Sequence, residues 1–214
     1  MNTRTRVKIC GLTREEDLDA AVNAGADAVG FVFYPPSPRY ISPERAAALC
    51  KRVPPFVTVT GLFVNAEEAF IRQHVDALPL TCLQFHGDEV ASQCGGYGLP
   101  YIKAARVRAG VDLLNYAASF PDACGILLDA WVEGYGGGGK PFDWDLIPQN
   151  LPLPLILSGG LDAQNVAEAI HRAQPWAVDV SSGVEATPGT KGIKDAARIA
   201  AFMKAVAGAN NADR

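Results

Sequence analysis

Eight short apolar runs, rich in β-branched residues, recur along this chain and limit the folds open to it. Eight units in 214 residues leave about 27 residues for each unit. Several runs are almost continuously hydrophobic, which is typical of parallel strands buried on both faces. The runs are Val7–Cys10, Ala28–Phe33, Val57–Val64, Thr81–His86, Tyr101–Arg106, Gly125–Asp129, Leu155–Ser158 and Ala177–Ser181.

Helical patterns fill most of the gaps between these runs. Thr13 and Glu16 have the spacing of a capping box, Ser42 precedes a proline at a first helical position, and Asn65 and Asp162 are further candidate N-caps. The alternation predicts an α/β fold, a single-domain (β/α)8 TIM barrel with eight parallel strands. An open doubly wound sheet is the alternative, but closure is favoured because it removes both sheet edges.

No linker or shift in composition divides the chain, and 49% hydrophobic residues are enough for one core. We expect the barrel to span residues 1–207, with the last helix over Ile193–Ala207 and a disordered polar tail over 208–214. The net charge of -4 argues against a nucleic-acid partner. Without a membrane-length apolar run or a signal peptide, we expect no membrane association and a cytoplasmic location.

The five cysteines include no C-x-x-C pair, so neither a disulfide framework nor a zinc site is expected. Three scattered histidines without a carboxylate cluster predict no metal site. In a TIM barrel the active site lies at the C-terminal ends of the strands, where Cys10 and Asp129 end two of the runs. Two weak acids at strand ends suit an enzyme that transfers protons, although a buried structural thiol is the alternative for Cys10.

Two glycine-containing loops follow the seventh and eighth runs, where TIM barrels often bind phosphate. Gly159 and Gly160 stand in the first loop, and Ser182 and Gly183 in the second. Glycine lets backbone N–H groups approach an anion closely. Together the loops predict a phosphorylated ligand, whereas either one alone is also compatible with an ordinary turn.

Three further polar residues are candidates for binding a ligand. Arg39 follows three prolines that stiffen its loop, so it either recognises a carboxylate or forms a surface ion pair. His86 ends the fourth run and either contacts the ligand or satisfies a loop carbonyl. Asp179 lies between two valines in the eighth run and is costly to bury unpaired, so it either faces the ligand or anchors a loop.

The segment from Gly134 to Lys140 has the spacing of a P-loop, but Pro141 stands where a magnesium-binding Ser or Thr is required. We therefore interpret these glycines as an active-site loop and do not expect nucleotide hydrolysis.

The motifs at the strand ends, taken together, resemble the phosphoribosylanthranilate isomerase family, and the resemblance runs nearly end to end. Two departures from the family pattern are Gly138, where a threonine is common, and Phe85, where leucine is usual. The matching segments are VKICGL (7–12), GFVF (30–33), SPRYIS (37–42), LQFHG (83–87), LLD (127–129), GGGG (136–139), FDW (142–144), SGGL (158–161), DVSSGVE (179–185) and PG (188–189).

The resemblance implies a TIM barrel that catalyses an Amadori rearrangement in tryptophan biosynthesis. N-(5-phosphoribosyl)anthranilate would become 1-(o-carboxyphenylamino)-1-deoxyribulose 5-phosphate without a cofactor. It assigns Cys10 as general base and Asp129 as general acid. Arg39 would hold the anthranilate carboxylate and the glycine loops the phosphate. A phosphorylated small molecule is then the expected partner of a monomer or homodimer.

Two competing functions remain at this stage. Another phosphosugar barrel, such as a sugar-phosphate epimerase or indole-glycerol-phosphate synthase, would need paired histidines and aspartates or strand-end Lys and Glu, which do not dominate here. A catalytically silent barrel that binds a phosphorylated metabolite would have no need for both Cys10 and Asp129.

Overall fold

The structure is a computed structural model that describes residues 4–108, 110–130, 142–186 and 191–212. Over these residues the chain forms a closed barrel of eight parallel strands, each paired with the next along the chain and the last paired with the first. The predicted TIM barrel is confirmed. The strands are β1 (Arg6–Cys10), β2 (Ala28–Val32), β3 (Thr58–Phe63), β4 (Cys82–Phe85), β5 (Tyr101–Val107), β6 (Gly125–Ala130), β7 (Leu155–Leu157) and β8 (Ala177–Val180).

Helices connect most of the strands and cover the outside of the barrel. Over the part of the chain that the structure describes, every helix is too short or too polar to cross a membrane. The α-helices are α1 (Glu15–Asn23), α2 (Pro43–Cys50), α3 (Glu68–Ala77), α4 (Ala91–Cys94), α5 (Leu113–Ala118), α6 (Val166–Ala173) and α7 (Ala196–Ala212). Short 3-10 turns at Trp144–Leu146 and Ser182–Val184 precede β7 and α7.

The hydrophobic core has two layers, because each strand is buried on both faces. One layer lies between the strands and the helices and contains large side chains such as Phe31, Phe63 and Phe202. A smaller cluster that includes Cys82 and Leu127 packs separately from it. Burial on both faces is the reason that the strands could be recognised as continuous apolar runs.

The predicted strand boundaries agree with the structure to within one residue at each end. The helix starts agree less well. Ser42 is confirmed as an N-cap, because its hydroxyl accepts a hydrogen bond from the Arg45 amide. The capping box at Thr13 is wrong, since Thr13 Oγ1 donates to the Gly192 carbonyl oxygen instead. Asn65 is also not a helix cap, and its Oδ1 accepts from the Asp88 amide in the loop after β4.

The end of the last helix is a second correction. Residues 208–214 were expected to form a disordered tail, but α7 continues through Ala212, while residues 213–214 lie outside the described part. Ala209 is buried, and Asn210 Oδ1 accepts a hydrogen bond of 2.9 Å from the Thr5 amide ahead of β1. The polar composition concealed this contact because it depends on a residue 205 positions away.

We expect Asn210→Ala to lower the free energy of unfolding by about 1 kcal/mol relative to Asn211→Ala, the size of one hydrogen bond. Asn211 is exposed on the same helix, so both substitutions change helix propensity alike and their difference isolates the bond to Thr5. Urea unfolding of both variants measures it. Equal stabilities would show that the end of α7 is not held to the barrel.

Candidate active site

A pocket that is open to solvent lies where β1, β4, β6, β7 and β8 end. This is the C-terminal face of the barrel, where TIM-barrel active sites are found. The structure therefore brings together all but one of the residues that the sequence analysis predicted for the site. The predicted residues that line the pocket are Cys10, Arg39, His86, Asp129, Gly159, Gly160, Asp179 and Ser182.

Cys10 ends β1 beside a buried ion pair. Lys8 lies two residues earlier, so its side chain leaves the same face of the strand. Lys8 Nζ donates a 2.9 Å hydrogen bond to Asp179 Oδ1, and both side chains are almost fully buried. Gly30 pairs with Cys10 across the sheet, and a Cβ atom there would meet Cys10 Sγ at 2.9 Å and Lys8 Nζ at 3.1 Å. Glycine thus leaves the space in which the thiol and the ammonium meet.

Burial and the neighbouring lysine charges shift the pKa of the Cys10 thiol in opposite directions. Burial raises the pKa of Cys10, and the Asp179 carboxylate raises it further. The charges of Lys8 and Lys194 act to lower the pKa of Cys10, but the effect of burial is larger, so the pKa is raised overall. For Lys8 itself, burial disfavours the ammonium, but Asp179 and Cys10 outweigh that effect and raise its pKa. Lys8 therefore keeps its positive charge beside the thiol at neutral pH.

Asp129, the next-to-last residue of β6, is in contact with a histidine. His86 Nε2 lies 3.1 Å from Asp129 Oδ2, and Gln84 Nε2 donates to His86 Nδ1 at 3.0 Å. Because Nδ1 accepts from the amide, a neutral His86 carries its proton on Nε2 and donates it to Asp129. Asp129 Oδ1 is then the oxygen left for exchange of a proton with a ligand.

Arg39 is held by a buried carboxylate rather than by a surface partner. Its Nε and Nη2 donate to the two oxygens of Glu185 at 2.7 and 3.1 Å. Glu185 also accepts from Lys194 Nζ and from the Gly192 amide. Burial opposes the charge on Glu185, but the bond from Arg39 and the charge of Lys194 outweigh it and lower its pKa. The bidentate contact fixes the guanidinium plane at the edge of the pocket.

Lys194 connects this ion pair to the strand that carries the thiol. Its Nζ donates to the carbonyl and hydroxyl oxygens of Ser181, at 3.0 and 3.1 Å. Ser181 Oγ in turn donates to the Cys10 carbonyl oxygen at 3.0 Å. A continuous set of hydrogen bonds therefore runs from Arg39 to the end of β1.

The glycines of the two loops are required for different reasons, a positive φ in the first loop and a close backbone contact in the second. Gly159 and Gly160 have φ values of +85° and +67°, which favour glycine, and both line the pocket. A Cβ atom on Gly159 would overlap the Ala130 amide and approach Asp129 Oδ1 to 2.8 Å. Gly183 is the predicted residue that does not line the described pocket, because it packs against the Leu161 carbonyl, which a Cβ atom would overlap.

A fully buried lysine supports the loop that carries His86. Lys103 Nζ donates to the Gly87 carbonyl oxygen at 2.8 Å and to Glu89 Oε2 at 3.1 Å. Glu89 accepts from the Gly87 amide and from the Asn65 amide. Lys103 was a candidate for either core packing or a ligand contact, and this geometry favours a structural role.

Several residues of the site were not predicted as such from the sequence. Lys8, Gln84 and Lys194 became apparent only from the structure, although a lysine two positions before a strand-end cysteine was a usable signal. The predicted glycine loop over 134–139 and the PG segment over 188–189 lie outside the described residues. Among the described residues, no cluster of three or more His, Cys, Asp or Glu side chains is placed to hold a metal ion.

We expect Gly159→Ala to lower the free energy of unfolding by more than about 2 kcal/mol, because the positive φ and the overlap with Ala130 add to one another. Gly95→Ala is the matched control, since a Cβ atom there meets nothing within 4 Å and its φ of -94° is ordinary. Urea unfolding measures both variants. Equal effects would show that Gly159 does not hold the loop against Asp129.

An acid and a thiol that face one pocket at the C-terminal end of a closed (β/α)8 barrel have the arrangement that a proton-transferring enzyme needs, and TIM-barrel isomerases are one such class. Within that class, residues 7–205 match the model of the N-(5'phosphoribosyl)anthranilate (PRA) isomerase family. The chain belongs to this family. The expected enzyme class, an isomerase of tryptophan biosynthesis, is confirmed by this membership.

Individual relatives agree with the family match. The N-(5'-phosphoribosyl)anthranilate isomerase of Dechloromonas aromatica is 66% identical over 95% of this chain and 96% of its own length. The crystal structure of phosphoribosyl anthranilate isomerase from Thermotoga maritima is 46% identical, with a TM-score of 0.84 over 95% of this chain and 99% of that one. A second structure is phosphoribosyl anthranilate isomerase in complex with reduced 1-(o-carboxyphenylamino)-1-deoxyribulose 5-phosphate, at 43% identity and TM-score 0.80 with the same coverage.

Proposed function

We propose that this chain converts N-(5-phosphoribosyl)anthranilate into 1-(o-carboxyphenylamino)-1-deoxyribulose 5-phosphate, with Asp129 as general acid and Cys10 as general base. The observation that carries the proposal is that β1 and β6 present a thiol and a carboxyl to the same pocket. A relative with 43% identity has been solved with a reduced form of this product bound, which supports the same choice of ligand.

The first step opens the ribose ring. Asp129 donates a proton to the ring oxygen, the bond between that oxygen and C1 breaks, and the anthranilate nitrogen forms an iminium with C1. Asp129 becomes a carboxylate, and the contact from His86 Nε2 to Oδ2 stabilises the new negative charge. His86 thus stabilises the acid after it has lost its proton. Gln84, by donating to His86 Nδ1, keeps the proton on His86 Nε2 directed at Asp129.

The second step breaks a carbon–hydrogen bond. The Cys10 thiolate takes the proton from ribose C2, and the electron pair moves through C1 to the iminium nitrogen, which gives an enolamine. The enolamine gains a proton at C1 and loses the hydroxyl proton at C2 to become the ketone. The nitrogen itself accepts the electrons, so the rearrangement requires no metal or other cofactor.

Both ends of the substrate need a partner for this geometry to hold. Arg39, fixed by Glu185, is the residue we assign to the anthranilate carboxylate. The loops that contain Gly159, Gly160 and Ser182 are assigned to the phosphate, and Gly183 shapes the second loop from below. Asp179 does not hold an end of the substrate in this scheme; it acts on the base by holding the Lys8 ammonium beside Cys10. Binding a substrate at both ends places its reacting carbon between acid and base.

The expected partner is a phosphorylated small molecule, with no nucleic acid and no membrane. The cytoplasmic location and the choice between monomer and homodimer stay predictions.

Turnover of phosphoribosylanthranilate, followed by its fluorescence, tests the proposal directly. We expect the wild-type chain to consume the substrate and Asp129→Asn to abolish turnover, because the amide cannot supply the proton. Asp145→Asn, at a site that is exposed and paired with Arg172, is the matched control and should retain activity. Near-normal turnover by Asp129→Asn with an unchanged circular dichroism spectrum would disprove the acid role. Failure of the wild type to turn over this substrate would favour another phosphosugar reaction or a silent barrel.

Cys10→Ser should reduce kcat by at least about a hundredfold, the usual contribution of a general base. A hydroxyl has nearly the same size as the thiol but is a much weaker acid, so it provides little of the anionic base. Cys50→Ser is the control, because Cys50 is a buried cysteine on α2 and does not line the pocket. Equal losses in the two variants would indicate a packing effect and remove the base role from Cys10.

A further inference from the structure

Cys10, the base of the proposed reaction, lies in surroundings that disfavour its anionic form. Cys10 is buried, and burial raises the pKa of its thiol, whereas the reaction needs the thiolate. A neighbouring positive charge that remains in place throughout the reaction would lower the cost of forming the anion.

Lys8 has the required position. It leaves the same face of β1 as Cys10, and the two side chains end together above Gly30. Lys8 is almost fully buried, which removes most of the water that would screen its charge. Cys10 Sγ and Lys8 Nζ lie 2.9 and 3.1 Å from the position that a Cβ atom on Gly30 would occupy, so the two groups are close neighbours. Water therefore screens the interaction between the ammonium and the thiolate only weakly.

Asp179 determines where the ammonium lies. Lys8 and Asp179 are direct partners in the register of β1 with β8, and Nζ lies 2.9 Å from Oδ1. Burial disfavours the charged form of Lys8, but the Asp179 carboxylate and the Cys10 thiolate both favour the ammonium. Asp179 therefore fixes the position of the ammonium and competes with the thiolate for its charge. Its own negative charge acts against the thiolate, and so its removal has the opposite electrostatic consequence from removal of Lys8.

We propose that Lys8 is a positioning residue whose ammonium, held by Asp179, stabilises the thiolate of Cys10 while it takes the proton from the substrate. The proposal rests on the proposed function for the role of Cys10 as base.

Other charged groups surround the thiol, and the test has to account for them. Lys194, which precedes α7, is a second and weaker positive influence on Cys10. Its charge is shared with Glu185, to which it is hydrogen-bonded. Among the residues that the structure describes, the remaining titratable groups that line the pocket are Tyr34, Arg39, His86 and Asp129.

The experiment measures how fast iodoacetamide alkylates Cys10 as a function of pH, in the intact chain without substrate. The reagent reacts with the thiolate, so the midpoint of the profile reports ionisation of this residue. Mass spectrometry of the tryptic peptide that contains Cys10 separates it from the other four cysteines. The pH dependence of kcat/KM, measured in parallel, follows the same ionisation during turnover.

Lys8→Met should move the alkylation midpoint to higher pH by at least about one unit. At neutral pH, below both midpoints, this change lowers the thiolate fraction and kcat/KM about tenfold. Lys8→Arg keeps the charge and should give a midpoint below that of Lys8→Met. Asp179→Asn should move the midpoint to lower pH. The unfavourable carboxylate is gone, the amide oxygen can still accept from Lys8 Nζ, and the thiolate becomes the anionic partner of the ammonium.

The alkylation midpoint is expected to rise in Lys8→Met and to fall in Asp179→Asn. These opposite shifts distinguish an electrostatic effect from a packing effect, which would have the same sign in both variants. If Lys8→Met leaves the midpoint unchanged, or if both Lys8→Met and Asp179→Asn raise it, the proposal is wrong. Should Lys8→Met fail to fold, Asp179→Asn decides alone, and an unchanged or raised midpoint overturns the proposal. Failure of the proposed function is a different result, namely full turnover by Cys10→Ser, and it leaves the alkylation midpoints as they are.

Discussion

The pairing of β1 with β8 is the constraint on which the active site depends. It closes the barrel, and the same register sets Lys8 opposite Asp179 at the seam. Cys10 follows two residues later and ends over Gly30 of β2. Without closure, the two ends of the chain would leave an ammonium and a carboxylate unpaired in an apolar wall, which is costly. Folding and preparation of the base therefore depend on one contact between distant segments.

Each reactive or binding group of the pocket has its own set of buried polar partners, at least one of which comes from another element. Cys10 has Lys8 with Asp179, Asp129 has His86 with Gln84, and Arg39 has Glu185 with Lys194. Two of these arrangements contain buried ion pairs, which contribute little net stability once desolvation is counted, so stability alone does not account for them. They are better explained as devices that fix the direction and charge of each group before a substrate arrives, which is what acid–base catalysis on a rigid barrel needs.

Most of the fold was predictable because parallel strands buried on both faces produce continuous apolar runs, and all eight were located to within one residue. The site residues at strand ends followed from that order. Helix starts were less predictable, since Thr13 and Asn65 bond to distant loops instead of their own helices. The end of α7 was missed because Asn210 bonds to Thr5. The partners Lys8, Gln84 and Lys194 were missed for the same reason: the contacts that reveal their roles join separate parts of the chain, and only the closed barrel brings them together.

The central claim is that Cys10 removes the proton from C2 of the ribose while Asp129 opens the ring. A substrate that carries deuterium at C2 tests it most directly, by comparison of turnover rates for the labelled and unlabelled compounds. The account predicts a primary isotope effect in Cys10→Ser, where breaking the C2–H bond limits the rate. An equally slow Cys10→Ser enzyme with no isotope effect would contradict the account.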